Sequence, residues 1–155
     1  DTESKPRFHV DQPKTGPHVV QVSTENYAFL FMPNHVPGNE LLAEIIQSER
    51  IVKAGFGLNS DRGPIYRELG IRLRSTVELS LIVKRLGYRQ QVGAQAAVAI
   101  VLGQYLPKSK KLSTSNWAAN PLSPAQRLYA ANDAFASLRV YLELMRTAPN
   151  LLVST

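Results

Sequence analysis

Two segments carry side chains whose type and spacing could do chemistry. Asp1-Thr2-Glu3 sets two carboxylates at i and i+2, and in a strand both project from one face. Adjacent acids on one face repel and raise each other's pKa unless a positive charge lies between them. A divalent cation with oxygen ligands is the usual remedy. The second segment holds Tyr129 and Asp133, four apart in a helical pattern and therefore on one face of a helix. Each segment also has a plainer explanation. Asp1 and Glu3 could belong to a frayed terminus, Asp133 could be a solvated carboxylate on a helix flank, and Tyr129 a core aromatic whose hydroxyl reaches water.

The elements that must position these residues are legible from periodicity. Pro17–Val22 and Tyr27–Met32 read as strands around a polar turn at Ser23–Asn26. Pro33 to Gly38 breaks the pattern. Leu41, Leu42, Ile45 and Ile46 recur at helical spacing and predict a helix over about Asn39–Glu49. Ile51–Ala54, ending in Gly55, suits a buried strand, and a helix over about Asp61–Leu69 stops at Gly70. Arg72–Leu79 is expected as a strand, Leu79–Leu86 as a helix stopped by Gly87, and Ala94–Leu106 as a helix closed by Pro107. The last helix is the best specified. Ser123-Pro124-Ala125-Gln126 is a capping box, and Leu128, Ala131, Phe135, Leu138, Leu142 and Met145 form an apolar stripe running toward Pro149. Strands first, then strands alternating with helices, predict one α/β domain with a mixed sheet flanked by helices.

Composition narrows the function classes. The 155 residues hold no Cys, which removes disulfides, thiolate zinc sites and cysteine nucleophiles. His9, His18 and His35 offer no metal-ligand spacing. No apolar run is long enough to span a bilayer, so no membrane partner is expected. No basic-then-apolar leader is visible, and an intracellular location is the expectation, with cytoplasm and nucleus undistinguished. A formal charge of +6 favours a polyanionic partner. Gly55-x-Gly57 after a strand invites a dinucleotide-binding reading, but Ser60 stands where the third glycine would be. Neither a nucleophile elbow nor a Walker loop is present.

Asp1-Thr2-Glu3, Gly55-Phe56-Gly57-Leu58-Asn59-Ser60-Asp61 and Tyr129-Ala130-Ala131-Asn132-Asp133-Ala134 resemble, in order, the three motifs of the DEDDy 3′–5′ exonucleases. Thr76–Ser80, Ser115-Asn116-Trp117 and Pro121-Leu122-Ser123 are most similar to the Werner-type and RNase D branches of that family. The resemblance implies a ribonuclease H-like fold and a hydrolase that releases 5′-nucleotides from a free 3′ end, with DNA as the first choice of substrate and RNA left open. It implies two ions of Mg²⁺ or Mn²⁺. Asp1, Glu3 and Asp133 would hold one, with Asp1 bridging to a second that Asp61 supports through water, and the Tyr129 hydroxyl would orient the attacking water. A catalytically inactive nucleic-acid-binding module of the same fold is the alternative. The family also places an apolar strand before Asp-x-Glu, so the first strand is expected to be truncated at Asp1. An upstream strand is expected to strengthen cation binding, because an α-amino group at Asp1 would compete with the ions.

Charge agrees with this. With the four motif carboxylates set aside, 18 Lys and Arg face eight other acids, a surplus of ten, which suits a groove that tracks a nucleic-acid backbone. Lys108, Lys110 and Lys111 are the clearest cluster, and Arg62 lies next to Asp61. Each could touch phosphate or be ordinary solvated charge. Trp117, just ahead of the capping box, is expected in the core.

Overall fold

A computed structural model of the chain describes residues 1–35 and 39–152. Residues 36–38, within the expected break at Pro33–Gly38, lie outside the described residues. Strands β1 (Thr2–Glu3), β2 (Val19–Ser23) and β3 (Ala28–Phe31) form an antiparallel sheet in that order. Helix α1 (Asn39–Gln47) leads to β4 (Lys53–Gly55), and α2 (Leu58–Leu69) connects β4 to its parallel partner β5 (Thr76–Glu78). Then come α3 (Leu79–Lys84), α4 (Ala94–Leu102), a single turn α5 (Lys110–Ser113) and the long α6 (Pro124–Thr147). Both strand orientations expected of a mixed sheet are present, divided between two small sheets. Among the described residues no helix is long and apolar enough to cross a membrane.

Helix α6 organises the molecule, packing against β2, β3, β4 and α4. Its capping box forms as expected: Ser123 Oγ accepts from the Gln126 amide, and Gln126 Oε1 accepts from the Ser123 amide at 3.0 Å. The inward face differs from the expected stripe. Leu128, Phe135 and Met145 are 63%, 37% and 49% exposed, whereas Tyr129, Ala130, Asp133, Ala134, Ser137 and Val140 are buried. The reason is steric: Ala and Ser let the helix backbone lie close on the sheets, and a Leu/Phe stripe would hold it off.

Other boundaries shift because long-range contacts claim backbone groups. Helix α2 starts three residues before the expected Asp61, since the Glu78 carboxylate accepts from the amides of Gly57 (2.9 Å) and Asn59 (3.2 Å), partnering donors that a helix start leaves free. Strand β5 is shorter than Arg72–Leu79, since the Arg72 and Arg74 amides bond to Gln47 Oε1 and Ile46 O at the end of α1. Helix α4 stops at Leu102, ahead of the expected Leu106, because Gly103 adopts a left-handed cap with φ 62°. Ile51 and Val52 are half-exposed and precede β4, so they are not a buried strand. The turn α5, in a segment without apolar period, is an addition to the expected elements; Ser109 caps it by accepting from the Leu112 amide.

Between the two sheets lies a cavity of about 290 Å³ whose lining includes Val22, Phe29, Ile45, Val52, Leu138 and Tyr141. Among the described residues no ladder joins the sheets across it. The β1 register pairs Thr2 with Val20 and Glu3 with Val19.

The close approach of α6 is testable. Ala130→Leu should destabilise the protein by about 1–3 kcal/mol through overpacking, while Leu128→Ala should change stability by less than about 0.5 kcal/mol. Urea unfolding of both variants checks this, and the reverse order would place the sheet-facing side of α6 elsewhere.

Candidate active site

Strand β1 carries Glu3 and Asp1 directly precedes it, locked to Gln21 by paired backbone hydrogen bonds of 3.1 and 2.9 Å. Helix α6 brings Asp133, 5% exposed, against them. One carboxylate oxygen from each of Asp1, Glu3 and Asp133 lies within 4.8 Å of the others. Neither the frayed terminus nor the solvated flank therefore describes these residues. Asp61, in the first turn of α2, is not in that trio; its Oδ1 accepts from the Thr2 hydroxyl at 3.0 Å, which ties it to the strand between Asp1 and Glu3.

The electrostatics show what the arrangement costs. Burial first, and then the Asp133 charge, pushes the Glu3 carboxyl up to about 7, against the downward pull of Lys108. Burial likewise raises Asp133, opposed by Lys108. Asp61 is raised by burial and lowered by its bond from Thr2. Lys108 Nζ stands 3.7 Å from Asp133 Oδ2, one cation among three converging carboxylates. An all-oxygen, net-negative donor set fits a hard divalent cation, and Mg²⁺ and Mn²⁺ are both of that class.

Tyr129 lies one turn before Asp133 on the buried face of α6. Burial, then the charges of Asp133 and Glu3, pushes its hydroxyl up to about 12, so the phenol stays protonated at neutral pH. Its ring packs 6.0 Å from that of Trp117, which is fully buried as expected. Gln126 ties this corner together by donating to Ser115 Oγ and to Asn116 O.

The expected cations divide. Lys108 joins the acids. Lys110 and Lys111 are exposed on α5. Arg62 donates to Leu73 O at 2.8 Å and to the Thr76 hydroxyl, bracing α2 against β5. Sequence reasoning overlooked the cap that Glu78 provides; a lone acid at the end of a short strand carries no local signal of that task.

The family model described as 3′-5′ exonuclease matches residues 1–148. The mouse bifunctional 3′-5′ exonuclease/ATP-dependent helicase WRN is 36% identical over 104 residues, 66% of this chain and 7% of that protein. A 3′-5′ exonuclease of Arabidopsis thaliana is 27% identical over 143 residues, 91% of this chain and 50% of that protein. Among solved structures, Escherichia coli RNase D superposes with a TM-score of 0.77 at 22% identity, over 99% of this chain and 41% of that one. The chain thus spans half or less of the curated relatives named here.

Cation binding should be visible in stability. Mn²⁺ at a hundredfold excess over its Kd adds about 2.7 kcal/mol, a rise in Tm of about 5–10 °C for a domain of this size. Asp133→Asn should abolish most of that rise. Without metal, the same variant should melt at or above the wild-type temperature, because it removes one buried negative charge from the cluster. Differential scanning fluorimetry with EDTA and with Mn²⁺ reads both; an equal Mn²⁺ shift in the variant would contradict the assignment.

Proposed function

The chain belongs to the 3′-5′ exonuclease family, hydrolases acting on phosphodiester bonds, and from that premise we propose that it removes 5′-nucleotides from the free 3′ end of a nucleic-acid strand, with DNA as the first substrate and two divalent ions as cofactors. The convergence of Asp1, Glu3 and Asp133 within 4.8 Å carries the proposal. Asp1, Glu3 and Asp133 would hold one ion; Asp1 and Asp61 would serve the second. When bound, the ions supply Lewis-acid stabilisation of an in-line phosphoryl displacement and make water a competent nucleophile near neutral pH.

This chain's residues do the rest. The Tyr129 hydroxyl, protonated at neutral pH, orients the attacking water by hydrogen bonding and does not itself remove its proton. Lys108 offsets the Asp133 charge, and its ammonium would be available to a phosphate oxygen once ions took over that task. Thr2 fixes Asp61, and Glu78 holds the turn from which α2 delivers it. The DNA preference draws on the Werner-type resemblance of the Thr76–Ser80, Ser115–Trp117 and Pro121–Ser123 segments. The inactive-module alternative is disfavoured by the presence of all four acids and the tyrosine.

The test is digestion of 5′-labelled single-stranded DNA, 3′-recessed DNA and matching RNA with Mg²⁺ or Mn²⁺. A ladder shortening from the 3′ end is expected, lost with EDTA and reduced at least about 10²-fold in Asp133→Asn. Tyr129→Phe should lower kcat by about 10²-fold with a smaller change in KM. A folded protein that binds Mn²⁺ and gives no ladder would favour the binding module.

A further inference from the structure

The segment from Ser4 to Pro17 leaves β1 directly after Glu3 and returns into β2. Its two ends are tied together. The Lys5 amide donates to His18 Nδ1 at 3.1 Å, and the His18 amide donates to Glu3 O at 2.9 Å. Gly16, at φ +102°, lies so close to Ser4 and His18 that a Cβ there would stand 2.6 Å from Ser4 Oγ. The middle is also folded on itself: Arg7 Nη1 donates to Val10 O at 3.1 Å, and the Phe8 amide donates to Gln12 Oε1 at 3.0 Å.

Together with Pro64 and Arg67 of α2, this segment encloses an open hollow of about 510 Å³. Lys5, Arg7, Lys14 and Arg67 line it, and no acid does; Asp11, the segment's own carboxylate, is not in the wall. Arg67 Nε is paired with Glu68 at 2.6 Å. Among the described residues Lys5, Arg7 and Lys14 have no carboxylate within ion-pair distance. Phe8, 75% exposed, also lines the hollow. Three cations without a carboxylate partner, beside an exposed aromatic ring, are the components with which proteins hold single strands: phosphates on the cations, a base on the ring.

We propose that this hollow holds the sugar-phosphate backbone of a single-stranded nucleic acid, upstream of the nucleotides being cleaved. Lys5, Arg7 and Lys14 face phosphates, Arg67 with its Glu68 partner closes the wall, and Phe8 receives a base. The inference rests on the exonuclease reading of the neighbouring acids for the direction of the strand. The ligand chemistry, a phosphodiester chain, is shared by DNA and RNA. The hollow differs from the cations singled out in the sequence, since it draws on none of Arg62, Lys108, Lys110 and Lys111.

The experiment has a binding arm and a cleavage arm. Fluorescence anisotropy in EDTA measures the affinity of matched DNA and RNA 12-mers, and steady-state kinetics with Mn²⁺ gives kcat/KM for the 12-mers and a dinucleotide. Lys14→Glu reverses a charge of the wall and leaves the Arg7 and Gln12 hydrogen bonds of the segment in place; Arg7→Ala/Lys14→Ala removes two cations. The double variant should bind the 12-mers at least about 10-fold more weakly, with the salt slope reduced by about 1.4. In both variants the ratio of 12-mer to dinucleotide kcat/KM should fall by a similar factor. Lys84→Ala/Arg89→Ala, which removes two charges from another part of the chain, should leave that ratio in place. Unchanged affinity and ratio in Lys14→Glu, with the ladder intact, would overturn this inference and leave the exonuclease reading standing. Weakened binding without any ladder would support the hollow and count against the exonuclease. The absence of 12-mer binding by the wild-type protein would overturn the hollow outright.

Discussion

Holding three carboxylates within reach of a single ion is the constraint on which this structure turns. Asp1, Glu3 and Asp133 come from opposite ends of the chain, and burial and mutual repulsion raise Glu3 to about 7. Left to itself such a cluster would open or protonate. It persists because each acid is carried by an element fixed for other reasons: β1 by its ladder to β2, Asp133 by the docking of α6, and Asp61 by the Thr2 hydroxyl.

The docking of α6 depends on residues that do no chemistry. Ala130 and Val140 are fully buried and Ala134 and Ser137 nearly so, and they let the helix settle onto β2, β3 and β4. Trp117 and the Gln126 bonds to Ser115 and Asn116 brace its first turns, where Tyr129 lies. Helix α5 follows Lys108, the cation beside Asp133, so the segment that neutralises the site is anchored to the same corner. Repelling acids held close together need a rigid scaffold, and here the scaffold is a helix with a flat, small-residue face.

Much of this is legible in the sequence, and the gaps have physical causes. The capping box, the Gly70 stop and the order of strands and helices follow from local chemistry and periodicity. Asp-x-Glu and Tyr-x-x-x-Asp disclose which acids share a face, though neither spacing alone reveals that the two faces meet. The apolar stripe of α6 misleads because hydrophobicity ranks Leu128 and Phe135 above Ala130 and Ala134, while the close helix–sheet approach demands the reverse. The early start of α2 and the shortness of β5 were out of reach, because Glu78, Gln47 and Ile46 take their backbone partners from distant parts of the chain. The basic hollow is hidden for a similar reason: Lys5, Arg7 and Lys14 share one segment without periodic pattern, and they meet Arg67 only when that segment folds against α2.

The central claim is that the three converging carboxylates form a divalent-cation site. Its most direct test is diffraction at the manganese absorption edge from crystals grown with Mn²⁺. The account predicts an anomalous peak within bonding distance of Asp1, Glu3 and Asp133, lost in crystals of Asp133→Asn. A clean map without a peak at that position, from crystals soaked well above micromolar Mn²⁺, would contradict it.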